Sequence, residues 1–219
     1  MKIFIDFDDV ILNTKKFKED LFGVFSAYEI SREEYENSYY DPNDQNPVKM
    51  HSIGDQIQRL QKNNFFDEKA LRKDLENFFT KNTSHYVFAD VFDFAASHKN
   101  DEMCVLTFGN KVFQEKKINN SKIREHIANI IITDKNKAAA LKEELEKKNF
   151  LPGEKIFFID DRTEQLRNVK HEFPDIITIF IKRPEGRFQE MVKNEYCDFE
   201  AHNLREAEEI ISRINKSTC

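Results

Sequence analysis

Three carboxylates follow directly on a strand-forming run, with Asp6, Asp8 and Asp9 placed just beyond the apolar residues Ile3, Phe4 and Ile5. β-Branched and aromatic residues read as a buried strand, and in open α/β sheets functional groups collect outside the carboxyl ends of the strands. Period-two alternation aims the Asp6 and Asp8 side chains the same way. Like charges that close repel, and a bound cation is the usual remedy. The plain alternative is a solvated turn, in which Asp9 and Asn13 bond their own backbone. Partners elsewhere in the chain must decide between the two.

Three later strand-like runs also end in polar residues. The run 103–107 ends in Thr107, followed by Phe108, Gly109 and Asn110. The run 129–133 is followed by Lys135 and Lys137, the latter at a helix start, and the run 155–159 leads into Asp160 and Asp161. One edge of a parallel sheet would gather all four ends.

The elements that could position them follow from periodicity. After Asn13 and Thr14 the pattern turns helical: Phe17, Leu21, Val24, Phe25 and Tyr28 predict a helix over 15–28. Ser31 with Glu34 reads as a capping box opening a second helix. The segment 41–47 is a polar, proline-punctuated loop. Further helices are predicted after Ser52 and near Asp67. From about residue 86 the chain alternates: helices over 91–98, 111–118, 137–148 (stopped by Pro152 and Gly153), one after the 155–160 strand ending at about 173, and 204–214, and strands over 103–107, 129–133, 155–160 and 176–181. This order predicts an α/β fold, a doubly wound, mostly parallel sheet with a mostly helical insertion after its first strand.

Composition narrows the class. The 219 residues suit one domain with a large insertion or two small domains. No apolar run approaches the roughly 20 residues of a membrane helix, and the expected setting is a soluble, cytoplasmic protein without a signal peptide, its first apolar stretch being broken by Asp6. A net charge of −6 argues against broad nucleic-acid or membrane-surface binding. Cys104, Cys197 and Cys219 have no metal-ligand spacing and are expected as free thiols in a reducing compartment. The histidines form no metal pattern.

Taken together, the four strand ends resemble the motifs of the haloacid dehalogenase (HAD) superfamily of aspartate-nucleophile phosphohydrolases. Asp6-Phe7-Asp8-Asp9-Val10, extended by Asn13-Thr14, is similar to its first motif; Thr107 to the second; Lys137, with Lys135 as runner-up, to the third; and Asp160-Asp161 to the fourth. The resemblance implies a Rossmann-like catalytic core over 1–14 and 83–219 and a type-1 helical cap over 15–82 that closes over the site. It departs from the pattern at Asp9, where glycine is most usual; a side chain there would lie near the cation or the cap hinge.

The resemblance also implies roles. Asp6 would attack phosphorus to form an aspartyl-phosphate, and Asp8 would serve as the general acid and base, a role suited to a carboxyl of raised pKa. Mg²⁺ would be held by Asp6, the Asp8 backbone carbonyl and Asp161, with Asp160 a ligand through water or an orienter. Thr107 with the amides of Phe108 and Gly109 would hold phosphoryl oxygen, and Lys137 would neutralise the nucleophile and the phosphate. The expected activity is Mg²⁺-dependent hydrolysis of a small phosphorylated metabolite, with Lys15, Lys16, Lys18, Tyr39, Tyr40, His51 and Arg59 as candidate recognition residues. A phosphomutase, a dehalogenase and a catalytically inactive HAD-like binding protein are the alternatives.

Overall fold

A central strand, β1 (Lys2–Ile5), is flanked by β2 (Glu102–Phe108) and β4 (Ile156–Asp160). With β3 (Asn129–Thr133), β5 (Ile177–Ile181) and β6 (Phe199–Ala201) they form a six-stranded sheet of order β3-β2-β1-β4-β5-β6. All five pairings are parallel. The structure is a computed structural model describing residues 1–45, 49–147 and 153–216. Pro47, Lys148, Pro152 and Cys219, all part of the sequence-based expectations, lie outside the described residues.

Between β1 and β2 the chain forms α1 (Thr14–Ser26), α2 (Arg32–Tyr39), α3 (Ile53–Gln61), α4 (Glu68–Thr80) and, after a 3₁₀ turn at Ser84–Tyr86, α5 (Val91–Ser97). Ser31 caps α2 with the reciprocal Glu34 contact the sequence predicts. The crossovers that follow are α6 (Lys111–Asn120), α7 (Lys137–Lys147) and α8 (Thr163–Glu172), and α9 (Leu204–Lys216) ends the described fold. No described helix is long and apolar enough to cross a membrane.

Alternation along the strands separates two apolar layers. Ile3, Ile5, Val105, Phe157 and Ile159 join one cluster, which also contains Phe94 of α5 and Leu204 and Ile211 of α9. Phe4, Cys104, Leu106 and Phe158 join the other, with Leu141 of α7 and Leu166 of α8. Burial on both faces explains why the strands read as continuous apolar runs. The first cluster extends without a break into the inserted helices through Phe17, Leu21, Phe25, Leu71 and Phe79. Phe17 stands 6.2 Å from the Phe113 ring and Phe79 5.8 Å from it, which seats α1 and α4 on α6.

Sequence reading missed β6, whose three residues are too few for a periodic signal. It expected a mostly parallel sheet, and every pairing among the described strands is parallel.

Candidate active site

The carboxyl ends of β1, β2 and β4 meet where the strand order reverses on either side of β1, the crevice in which ligands of open α/β sheets bind. Asp6 leaves β1 with its amide fixed to Ile159 O at 2.9 Å, so the first and fourth strand ends are held together by a ladder bond. Carboxylate oxygens of Asp6, Asp160 and Asp161 all lie within 4.8 Å of one another, and all three residues are buried. Lys137, at the start of α7, places Nζ 2.7 Å from both Asp6 Oδ1 and Asp160 Oδ2. Burial alone would favour the neutral amine, but the charges of Asp160 and Asp6 outweigh it and keep Lys137 protonated. Lys135, the other candidate, points away and pairs with Glu143 at the surface.

With all three acids ionised the cluster carries two more negative charges than Lys137 neutralises. Asp160 is fully engaged: Oδ1 accepts from Arg162 N at 2.9 Å and Oδ2 from Lys137. Asp161 is not, for its Oδ2 is buried without a hydrogen-bond partner. Burial, with the neighbouring charges of Asp6 and Asp160, pushes the Asp161 carboxyl well above the usual carboxylate range. An orphaned, buried oxygen beside two further carboxylates is a donor set that fits a hard divalent cation.

Asp8 does not share that cluster. Its carboxylate accepts from Lys117 Nζ at 2.6 and 2.9 Å, from Gln114 Nε2 at 2.9 Å and from the Thr14 hydroxyl at 2.7 Å. Burial would raise its pKa, yet the charges of Lys117 and Arg187 and the bonds from Lys117 and Gln114 hold it well below the usual range. The raised pKa expected from its role is therefore corrected: Asp8 is an ionised carboxylate. The Lys117 ammonium is buried among aromatic faces, 5.1 Å from the Phe113 centroid and 5.6 Å from that of Phe7.

Thr107 lies near the carboxyl end of β2, which runs one residue further than expected to Phe108, and is 1% exposed. Its Oγ accepts from Gln114 Nε2 at 2.7 Å, leaving the hydroxyl proton free to donate. Gln114 also donates to Phe108 O at 3.1 Å. Gly109 has φ +151°, and a Cβ there would lie 3.2 Å from Gln114 Cγ, so glycine leaves room for this amide. The expected use of the Gly109 amide for phosphate is corrected as well: its N–H is donated to Thr133 O at 2.9 Å.

Lys117, Gln114 and Arg187 were missed by sequence reading. For the first two no local signal existed: α6 has no clear apolar face, and only the folded chain shows Gln114 and Lys117 buried beside Ile118 while Val112 is 64% exposed. Among the recognition candidates, Lys18, Tyr39, Tyr40 and His51 line the same small cavity, of about 100 Å³, as Asp6, Asp8 and Asp161. Lys15 and Lys16 do not, and Arg59 donates instead to Ser38 O and Tyr39 O.

Asp9 occupies φ +56°, a left-handed conformation that explains why glycine suits this position. Its buried side chain accepts from Thr14 N at 3.2 Å and pairs with Arg187 Nε of the β5–β6 connection.

No family model matches the chain, and no curated protein matches it either. Solved structures do. A haloacid dehalogenase-like hydrolase from Burkholderia xenovorans LB400 is similar at a TM-score of 0.75 and 16% identity, over 97% of this chain and 96% of that one. A HAD hydrolase from Bacillus subtilis, bound to magnesium, gives 0.56 and 14% over 95% and 97%. An L-2-haloacid dehalogenase from Xanthobacter autotrophicus with chloropropionic acid covalently bound gives 0.59 and 12% over 96% and 98%. These likenesses show that the chain has the HAD-like fold.

Proposed function

We propose that the protein is a Mg²⁺-dependent hydrolase of small phosphate monoesters that works through an aspartyl-phosphate on Asp6. The observation that carries this reading is the convergence of Asp6, Asp160 and Asp161 with Lys137 at the sheet edge, with one buried Asp161 oxygen unpartnered. Asp6, Asp161 and the Asp8 carbonyl would hold the metal, Asp160 orienting Lys137. Bound there, Mg²⁺ would neutralise phosphoryl charge and hold a phosphoryl oxygen.

The chain's own groups divide the remaining work. Asp6 is the nucleophile, and its attack splits hydrolysis into two easier displacements. Lys137 and the Thr107 hydroxyl stabilise charge on the transferring group. Asp8, ionised beside Lys117, accepts the proton of the attacking water in the second displacement. In the first, the Asp8–Lys117 pair holds the proton that the leaving oxygen needs, with Lys117 as its store. The helices over 15–82 act as a cap: Phe17, Lys18, Tyr39, Tyr40 and His51 line the pocket above the acids and exclude water. The support given to Asp8 by three donors favours ester hydrolysis over dehalogenation, which needs no acid at that position.

Phosphate release from a panel of monoesters, with Mg²⁺ and with EDTA, tests the reading. Release that requires Mg²⁺ and is lost in Asp6→Asn is expected; release indifferent to both would overturn it.

A further inference from the structure

The connection between β5 and β6 brings a guanidinium to the mouth of the acidic pocket. Arg183 roots it: the buried side chain donates to both Asp90 oxygens, at 2.8 and 2.9 Å, and to Val10 O at 2.8 Å. Gly186 then passes close to the first motif, since a Cβ there would lie 3.2 Å from Arg183 O and 3.7 Å from Asp9 Cβ. Arg187 follows, fixed through Nε to Asp9. Its two terminal amino groups have no acceptor among the described residues.

Lys18 faces the same space from α1. Its Nζ lies 3.8 Å from the Tyr39 ring centroid and has no hydrogen bond or ion pair among the described residues. Both cations, with Tyr39 and Tyr40, line the cavity that contains Asp6 and also a second, outer cavity of about 360 Å³. They therefore stand where the leaving group of an ester bound at Asp6 must extend.

Charge balance points the same way. On the metal side, Lys137 and a divalent cation answer Asp6, Asp160 and Asp161. At the mouth, Lys117 answers Asp8 and Arg187 answers Asp9, and the outer acids Glu19 and Glu36 are paired with Arg32. Lys18 has no ion-pair partner among the described residues, and burial with Arg187 brings its pKa down to about 8 against the weaker opposing charges of Asp8, Asp9 and Glu36. An anion between Lys18 and Arg187 relieves that cost and accepts from a guanidinium already held in place.

We propose that Arg187 and Lys18 form a subsite for a second anionic group, a carboxylate or a second phosphate, on the leaving-group side of the substrate. Asp9 is the positioning residue of this subsite, which gives the departure from glycine its purpose. The inference rests on the phosphatase reading for the identity of the first group.

Calorimetric titration of the Asp6→Asn protein with Mg²⁺ present tests it through two matched pairs: 3-phosphoglycerate against glycerol 3-phosphate, and fructose 1,6-bisphosphate against fructose 6-phosphate. We expect the doubly anionic member of at least one pair to bind about tenfold or more tightly than its partner, the pair that responds distinguishing carboxylate from phosphate. Adding Arg187→Gln or Lys18→Gln is expected to bring that ratio close to one; Lys18→Gln, on a partly exposed side chain, keeps the test decisive where loss of Arg187 disturbs folding. Ratios near one in the parent, or unchanged in both variants, would overturn the subsite. Phosphate release by the unmodified protein is measured separately: its absence for all four esters counts against the phosphatase reading, while the binding ratios still decide the subsite.

Discussion

Lys117 Nζ lies 2.6 Å from one carboxylate oxygen of Asp8 and 2.9 Å from the other, in a pair buried against Phe113 and Phe7. The lysine lowers the pKa of Asp8, the acid proposed above as proton shuttle, so its removal has a signed consequence. In Lys117→Met, burial dominates and the Asp8 pKa rises, so the ionised form is lost as pH falls through a higher value. We expect kcat/KM to fall about a hundredfold at neutral pH, the scale of one general acid–base group, and its acidic limb to move to higher pH. A pH–rate profile checks this, and an unmoved acidic limb would dissociate Lys117 from the reaction.

What the sequence made legible follows from which signals are local. Asp6, Thr107, Lys137 and Asp160 each sit at the end of an apolar run or the start of a helix, so their positions follow from periodicity and strand order. Gln114 and Lys117 were hidden because a polar residue on a helix reads as solvent-facing until the tertiary structure buries it, and both are buried here while Val112 is exposed. Arg187 lies in a connection without periodicity, 178 residues from its partner Asp9. Asp9 itself was conspicuous as a departure, but nothing local told that its carboxylate reaches across to that connection.

The two lysines considered for the third motif should separate cleanly. Lys137→Ala leaves Asp6 and Asp160 buried without their cation, which costs about 3–5 kcal/mol when a buried pair is broken, and removes activity. Lys135→Ala breaks an exposed, solvent-screened pair with Glu143, so its stability should stay close to that of the unmodified protein. Urea unfolding together with phosphate release reads both effects, and a Lys135→Ala protein as impaired as Lys137→Ala would reverse the assignment.

Metal binding should appear as stability. A ligand bound only by the folded state stabilises by RT ln(1 + [L]/Kd), about 2.7 kcal/mol at a hundredfold excess over Kd. Mg²⁺ is therefore expected to raise the melting temperature, EDTA to reverse the rise, and Asp161→Asn to abolish most of it. The substitution removes charge from the cluster, so the apoprotein should be no less stable than the unmodified one. A Mg²⁺ response that survives intact in Asp161→Asn counts against Asp161 as a ligand.

Asp9 offers a backbone test. At φ +56° an alanine carries a left-handed penalty of about 1–2 kcal/mol that glycine escapes, while both substitutions remove the carboxylate that binds Arg187. Asp9→Gly should therefore be more stable than Asp9→Ala by about 1 kcal/mol in urea titrations. Equal stability of the two variants would place the strain elsewhere.

His51 gives the pocket wall its own pH dependence. The ring stacks on Tyr39 at 3.8 Å and its Nε2 lies 2.7 Å from Gln56 Oε1. The Gln56 amide nitrogen donates to Tyr35 O and Ser38 Oγ, which assigns Oε1 as the acceptor and Nε2 as the protonated nitrogen of His51. Nδ1 is buried without a partner, so protonating it would bury an unpaired charge. Burial above all, offset by the Gln56 bond and reinforced by Lys18, Lys117 and Arg59, takes the imidazole down to about 3. The folded value lies below the ordinary 6.5, so between those limits the unfolded chain binds the extra proton and stability falls as pH falls. The contribution approaches about 1.4 kcal/mol per pH unit below 6. Unfolding free energies of the unmodified protein and His51→Asn at pH 6.5 and 5.0 measure it: the unmodified protein should lose more over that interval by about 1–2 kcal/mol, and parallel losses would mean that the imidazole takes up its proton without disturbing the fold.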